Sequence, residues 1–564
     1  MPGQNSPSQL DAQHTTVWTL SAGVFYDRHE VDIPPQGASF TDNCLFLDGF
    51  LRHRAGHKPI QILFDPDPAF HIDLYRPVLD NLDRDGNLLV VKRTDNGTLN
   101  LHEIQLSNVC ETAGLPISSS LVGTIPAGQV PRFYQGLTPV TDVNAPEFQF
   151  GGSQRFTCYS SVNFTGNWYF TSGDDDIWRY DGTEFIPLRT LQPDPDLQNP
   201  IGARIITAND ARLFIANFVD PEAGVRVPYR LAWSSLLEDN RWGASDFRSG
   251  SSAFVDLPEQ NEPITALYTS SDFVIVFKPR SIYVGQFVGA PQYYSFRRLA
   301  RGPGCVSHSS LREYRDGVLI WLGDDNVYAG RPGQIPQPIG AAVEDRIREV
   351  ADICRMDEAR AVIDRDNHIY TLYLPIRDTQ ATFPLNETTQ NYKIFTCHIP
   401  TQGWFEGNSS SADVNVTDTI ESYTNWWTQR NFVSSFDGQV YLHDLNHPFD
   451  KDQNFPVEYT TGLFSYERIT DGATQQADLQ TIRVHALSGA VTLTHISTNN
   501  LDRETASVYG TQVSDGVSEL LVTRRDKSTE HFKINIFQPQ ANLFGLIASW
   551  SVSIVPEGDT RRLR

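Results

Sequence analysis

The sequence predicts an all-β fold: a six-bladed β-propeller inserted between N- and C-terminal β-rich segments that form a sandwich-like platform. Three observations predict it. Helical periodicity is nearly absent, and short apolar runs alternate with Gly, Pro, Asn and Asp turns throughout. One phrase, a strand, a polar turn and an aliphatic–aromatic pair, recurs along the middle of the chain. The C-terminal flank carries cleaner two-residue alternation than the middle does.

Residues 1–150 form the first segment. They hold short strands broken by many Pro and Asp turns, and read as an N-terminal β-rich part of the platform.

Residues 151–450 hold the repeat. In 167-NWYFTSGDDDIWRY-180 the turn is acidic and the pair is Ile177-Trp178. The phrase returns at 318-VLIWLGDDNVYAG-330 with Val327-Tyr328, and at 361-AVIDRDNHIYTLYLP-375 with Ile369-Tyr370. It returns again at 432-FVSSFDGQVYLHDL-445 with Val440-Tyr441, and at 273-FVIVFKPRSIYVGQF-287 with Ile282-Tyr283. A looser copy, 213–235, ends in Leu231-Ala232-Trp233. The six marking aromatics, Trp178, Trp233, Tyr283, Tyr328, Tyr370 and Tyr441, stand 55, 50, 45, 42 and 71 residues apart. A four-stranded propeller blade takes about 40–50 residues, and the long last gap has room for an extended hairpin. A single meander exposes two apolar faces, and radial stacking buries both. Adjacent Ile177 and Trp178 then point to opposite, equally covered faces.

Residues 451–564 complete the platform. Phe532, Ile534 and Ile536 alternate in one strand, and Trp550, Val552 and Ile554 in another, as half-buried sandwich strands do. Because the propeller interrupts the chain, the two flanks are expected to pack together. The one helical pattern is 340-GAAVEDRIREVADI-353, with Val343, Ile347, Val350 and Ile353 near one face and Asp345 and Arg348 on the wet side.

Composition narrows the function. A net charge of −23 argues against a global basic surface gripping nucleic acid, although an acidic wall lets a polyanion slide without sticking. The six cysteines lie at least 43 residues apart, so no zinc ribbon or thioredoxin motif exists and the thiols read as reduced, buried hydrophobes. No basic-then-apolar leader is visible at the start, and 544-FGLIASWSVSIV-555 is far shorter than the ~20 residues of a membrane helix. The sequons at Asn96, Asn163, Asn386, Asn408 and Asn415 read as chance matches.

Candidate chemistry is sparse. Asp174, Asp175 and Asp176 are consecutive, which fails the calcium-loop spacing and suits a hairpin turn. A glycosidase needs two carboxylates on a shared pocket. The stretch 434-SSFDGQVY-441 is a partial echo of the S-x-D-x-G-x-T-W turn of sialidase-like propellers, without a full copy. His53 with His57, and His443 with His447, stand four apart, but neither pair sits in a helical pattern that would present both to zinc. Trp426 and Trp427 offer a stacking surface for sugars or bases. No catalytic residue, cofactor or metal site is expected.

Some phrases resemble a known family. Arg230-Leu231-Ala232-Trp233-Ser234, then Asn240-Arg241-Trp242, then Pro263-Ile264-Thr265-Ala266-Leu267, resemble the nozzle proteins of short-tailed bacteriophages, also called tail tubular protein B or packaged-DNA stabilisation proteins. The stretch 43-NCLFLDGFLRHRAG-56 resembles an early phrase of the same proteins, with His53 as a departure, and the C-terminal third matches no named pattern. The resemblance implies a structural virion protein without catalytic residues. It implies a homohexameric ring with a central channel, below the adaptor ring and beside tail fibre or tail-tip proteins. Such a ring retains packaged DNA and conducts it at ejection. It is made in the host cytoplasm and resides in the phage tail. A carbohydrate-binding propeller and a glycoside-cleaving propeller acting on host surface polysaccharide remain the alternatives.

Overall fold

The structure is a computed structural model. It describes residues 14–126 and 159–556 apart from 61, 64–66, 77–85, 95–97, 106–116, 174–175, 192–201, 221–223, 240, 243–251, 259–261, 290–292, 377–391, 409–413, 415, 425–427, 466–476, 487–489, 501–502, 513–515, 522–530 and 542–546.

The six predicted blades are present, in the predicted order, as antiparallel meanders. Blade one comprises Ser160–Phe164, Asn167–Thr171, Trp178–Tyr180 and Phe185–Pro187. Blade two comprises Ile205–Ala208, Leu213–Val219, Arg226–Trp233 and Ala253–Asp256. Blade three comprises Ala266–Thr269, Phe273–Lys278, Ser281–Gly289 and Tyr293–Arg301. Blade four comprises Arg312–Glu313, Leu319–Leu322, Val327–Gly330 and Gln337–Pro338. Blade five comprises Arg360–Asp364, Ile369–Pro375, Tyr392–His398 and Gly403–Asn408. Blade six comprises Val416–Thr424, Thr428–Ser435 and Val440–Asp444, with a fourth strand from far upstream, Gly56–Pro59.

A further meander completes the ring. Strands Ala69–Tyr75, Asn87–Arg93, Leu99–Gln105 and Ser120–Ile125 form a four-stranded sheet whose first strand touches the first strands of blades six and one. One of its faces buries Ile72, Leu74, Leu88 and Val90 against Phe432 and Val440 of blade six. The other buries Leu89, Val91 and Leu101 against Trp168, Phe170 and Trp178 of blade one. The assignment of all of residues 1–150 to the platform is therefore corrected. The strands Ala69–Tyr75, Asn87–Arg93, Leu99–Gln105 and Ser120–Ile125 stand in the ring, where a sheet with two apolar faces has both covered.

The platform is a two-sheet sandwich drawn from both ends of the chain. In one sheet Cys44–Leu47 and Phe50–His53 adjoin Ile547–Pro556, which also pairs with His14–Trp18 and Ala477–Ala486. In the other, Gly37–Asp42 pairs with Val457–Thr461, which pairs with His531–Gln538. Their shared core contains Leu45, Leu51, Ile547 and Trp550 against Tyr459, Phe532, Ile534 and Ile536. The predicted alternation of Phe532, Ile534 and Ile536 faces this core, and so does Trp550; the side chains of Val552 and Ile554 lie outside the described residues. Gly23 pairs in parallel with both Gly37 and Trp404, so the second sheet runs on into blade five. A Cβ at Gly23, whose φ is +75°, would collide with the Trp404 backbone, which is why this crossing needs glycine.

The helical pattern is shorter than expected. Only Glu344–Val350 is α-helical, and Val343 and Ile347 are buried between blades four and five. Ile353 is 68% exposed, which corrects its placement on the buried face: the backbone is extended at Ala351, and Ile353 opens a separate 3-10 turn out of phase with the helix.

Candidate functional site

The six marking aromatics are all buried, one in each blade. Trp178, Tyr283, Tyr328 and Tyr441 lie in third strands, just after the turn from the second. Trp233 ends its third strand instead, and Tyr370 lies in a second strand. The phrase therefore marks each blade once without marking one position.

The acidic turns resolve into backbone and tyrosine partners. In blade four the Tyr328 hydroxyl donates to Asp325 at 2.9 Å, and Arg280 pairs with Asp324 at 2.8 Å. In blade six the Tyr441 hydroxyl donates to Asp437 at 2.5 Å, Gln439 N–H donates to the same carboxylate at 3.1 Å, and Lys451 pairs with it at 2.7 Å. Burial raises the Asp437 carboxyl, but Lys451 and Tyr441 outweigh it and hold it below the usual value. In blade five Asp364 accepts from the N–H groups of Asp366 and Asn367 at 3.1 and 2.9 Å, closing an Asx turn that leaves His368 at φ +59°. Asp174 and Asp175 lie outside the described residues, whereas Asp176 is buried.

The strongest polar cluster joins ring to platform. Arg54 follows the platform strand Phe50–His53, and His57 sits in the strand that completes blade six. Both meet Asp450, at 2.5 Å from Arg54 Nη2 and 2.7 Å from His57 Nδ1. The other His57 nitrogen is 2.9 Å from the Tyr373 hydroxyl of blade five. Arg54 also reaches Asn43 at 2.8 Å and the Asn408 carbonyl at 2.9 Å, and lies over the Phe455 ring. Burial raises the Asp450 carboxyl, yet Arg54 and His57 outweigh it and depress it strongly. His443 packs against His57 with ring centroids 5.8 Å apart, and burial pushes its imidazolium down to about 3. The spacing of His53, His57, His443 and His447 thus reflects a junction. Among the described residues no group of three or more His, Cys, Asp or Glu is placed to hold a metal ion.

A second cluster lies where the ring closes. The Trp168 indole donates to Asp73 at 2.7 Å, and Ser161 Oγ donates to the same carboxylate. His71 Nε2 is 2.7 Å from Ser161 Oγ, and Asp418 of blade six stands 2.5 Å from His71 Nδ1. Burial raises the Asp418 carboxyl, but His71 and Arg360 outweigh it and hold it low.

Two further carboxylates stand in the first strand of blade six and in the 3-10 turn before blade five. Glu421 lies 3.5 Å from Arg312 and 4.0 Å from Arg365, and accepts from Ile363 N–H at 3.2 Å. Glu358 lies 2.8 Å from Arg355. Burial raises both carboxyls to about 7 despite their arginines. Shifts of this size are the kind found in acid–base catalysis, but each carboxylate is engaged by arginine rather than presented to a cleft. A polar cleft of about 380 Å³ does open over the hairpin turns of blades one to three, lined by Asn163, Thr165, Asn209, Asp210, Thr269 and Ser271. Several of its polar groups serve their own turns: Asn209 accepts from Ala211 and Arg212 N–H, and Thr269 donates to the Ala208 carbonyl.

Other sequence candidates are placed as follows. Cys44, Cys305 and Cys397 are buried free thiols. Trp426 and Trp427 lie outside the described residues. Arg54 and Asp450 carried no local signal, because their contact spans 396 positions.

The architecture is that of a propeller ring latched to a β-sandwich. No family model matches the chain and no curated protein matches it. Solved structures similar to it include the Neurospora crassa Pan2 WD40 domain, at 8% identity and a TM-score of 0.33, covering 71% of this chain and 97% of that one. An exo-β-1,3-galactanase from Phanerochaete chrysosporium is similar at 8% identity and a TM-score of 0.24, covering 71% and 96%. Hydrazine synthase from Kuenenia stuttgartiensis is similar at 9% identity and a TM-score of 0.28, covering 51% and 80%.

Proposed function

We propose that this chain is a structural protein of a short phage tail, the nozzle, whose copies form a ring with a central channel. The ring retains packaged DNA and conducts it at ejection without sequence-specific contact. One observation carries the reading: the chain builds half a sandwich, leaves it to make a propeller, and returns to finish the same two sheets. That arrangement gives a rigid platform with a body held beside it, which suits a subunit that works by shape. The phrases that carry the resemblance support it too, since their residues are framework. Arg230 bridges Asp220 and Asp256, Trp233 and Ile264 are buried, and Arg54 anchors the junction. The net charge of −23 suits a wall along which DNA slides.

Homohexamers, an adaptor ring above and fibre or tail-tip proteins beside it are the partners of this reading, and the virion is its location. Particles assembled without the chain should package DNA and then lose it. Particles that stay filled would overturn the proposal. A carbohydrate-binding or glycan-cleaving propeller is the second reading, in which Glu421 would have to leave its arginines to act as an acid. Polysaccharide cleavage abolished by Glu421→Gln in a folded protein would favour it over the first.

A further inference from the structure

The outer strands of the blades are unequal. Phe185–Pro187 has three residues, Ala253–Asp256 four and Gln337–Pro338 two. Gly403–Asn408 of blade five is covered by Gly23, and Gly56–Pro59 of blade six is flanked by the bridge to Asp450. Short or covered edges are how sheets avoid adding strands from other chains. Blade three departs from this. Its outer strand Tyr293–Arg301 runs nine residues, and no described strand pairs with its outer side.

Three further features converge there. Arg297 and Arg301 are exposed on this strand, in a chain whose net charge is −23. Phe287 and Val288, at the end of the neighbouring strand, are 52% and 54% exposed. Beside them Tyr293 sits at φ +59°, a costly conformation for a bulky residue. The Phe287 and Tyr293 rings lie 6.4 Å apart, and the Arg212 guanidinium stands 4.9 Å over Tyr293.

We propose that the outer edge of blade three is a docking site for an acidic, extended polypeptide segment of a partner protein, which adds to Tyr293–Arg301 as a further strand. Outward-facing backbone groups along the edge supply the hydrogen bonds, and Phe287 and Val288 supply an apolar shelf beside them. The arginines select the partner's sign. They also disfavour pairing of this edge with the same edge of a second copy, which would set arginines against arginines. The proposal is independent of the nozzle reading, because it requires neither a ring nor DNA.

The test uses the full chain and a displayed library of random peptides long enough to span the strand. The expected winners are acidic with alternating apolar residues. Their affinity should fall by about tenfold or more on the R297E/R301E variant, and be lost when alternate peptide nitrogens of the winner are methylated. Melting and circular dichroism confirm that the variant folds, and the methylated peptides test the wild type even if it does not. No enriched peptide, winners without acidic bias, or binding that survives both charge reversal and methylation would overturn the proposal. So would double-stranded DNA binding the wild type and losing it on R297E/R301E without any peptide doing so, which would make the strip a polyanion contact.

Discussion

Arg54 and Asp450 lie 2.5 Å apart, almost wholly buried, and 396 positions separate them in the chain. One leaves the platform, and the other follows the last blade. His57 shares the same carboxylate from the strand that completes blade six. This contact fastens the ring to the sandwich and holds the closing strand at once. Asp450→Ala leaves Arg54 buried without its counter-charge. Breaking such a pair from one side costs about 3–5 kcal/mol, so the first thermal unfolding transition should fall well below that of the wild type. An unchanged transition would show that the pair carries no such role.

Closure also depends on Gly56. A Cβ there would run into the carbonyls of His447 and Phe449, both backbone atoms that cannot step aside cheaply. Gly56→Ala should destabilise the chain and expose blade six first, seen as faster amide exchange in Val440–Asp444. Exchange raised uniformly across all blades would contradict this.

The cluster at Asp73 gives a smaller and more local effect. Trp168→Phe keeps the ring in its core and removes the indole donor to Asp73. An under-satisfied buried acceptor costs about 1–3 kcal/mol, measurable as a lowered denaturation midpoint. A midpoint equal to the wild type would mean that Ser161 and the Leu74 N–H together satisfy the carboxylate.

Stability should depend on pH in two opposite windows. Asp450, Asp437 and Asp418 have depressed folded values, so their contribution is present above the ordinary carboxyl value and is lost as pH falls through the depressed one. Glu358 and Glu421 are raised to about 7, so their contribution is present at low pH and is lost as pH rises from the usual 4.5 through about 7. Melting temperature should decline across that second window, and Glu421→Gln should flatten the decline. An identical slope in the variant would exclude Glu421 as a source.

The turn aspartates should be dispensable to chemistry and modest in stability. Asp325→Ala removes the acceptor of the Tyr328 hydroxyl, and Asp437→Ala removes partners of both Tyr441 and Lys451. Each loss is expected near 1 kcal/mol, larger for Asp437. Any polysaccharide-cleaving activity that vanished with either change would reassign these turns.

These details show where sequence reasoning reaches. Blades one to six were legible because strand, turn and aromatic repeat within a few residues, and because residues such as Ile177 and Trp178 are apolar on both strand faces. The sheet 69–125 was missed as part of the ring although 87-NLLVVKR-93 and 99-LNLHEIQ-105 read as strands. Its hairpins lack the turn-plus-aromatic phrase used to count blades. The closing strand Gly56–Pro59 was invisible for a different reason: its partner is Val440–Asp444, and pairing over that separation leaves no local pattern. Asp450 stood in a run of polar turn residues, where burial with Arg54 has no signature.

The central claim is that copies of this chain assemble into a channel. Electron microscopy of the purified full chain at high concentration, with and without a phage adaptor-ring protein, tests that most directly. The account predicts closed rings with an open lumen and propellers at the rim. A population of single subunits, unchanged when the adaptor is added, would contradict it.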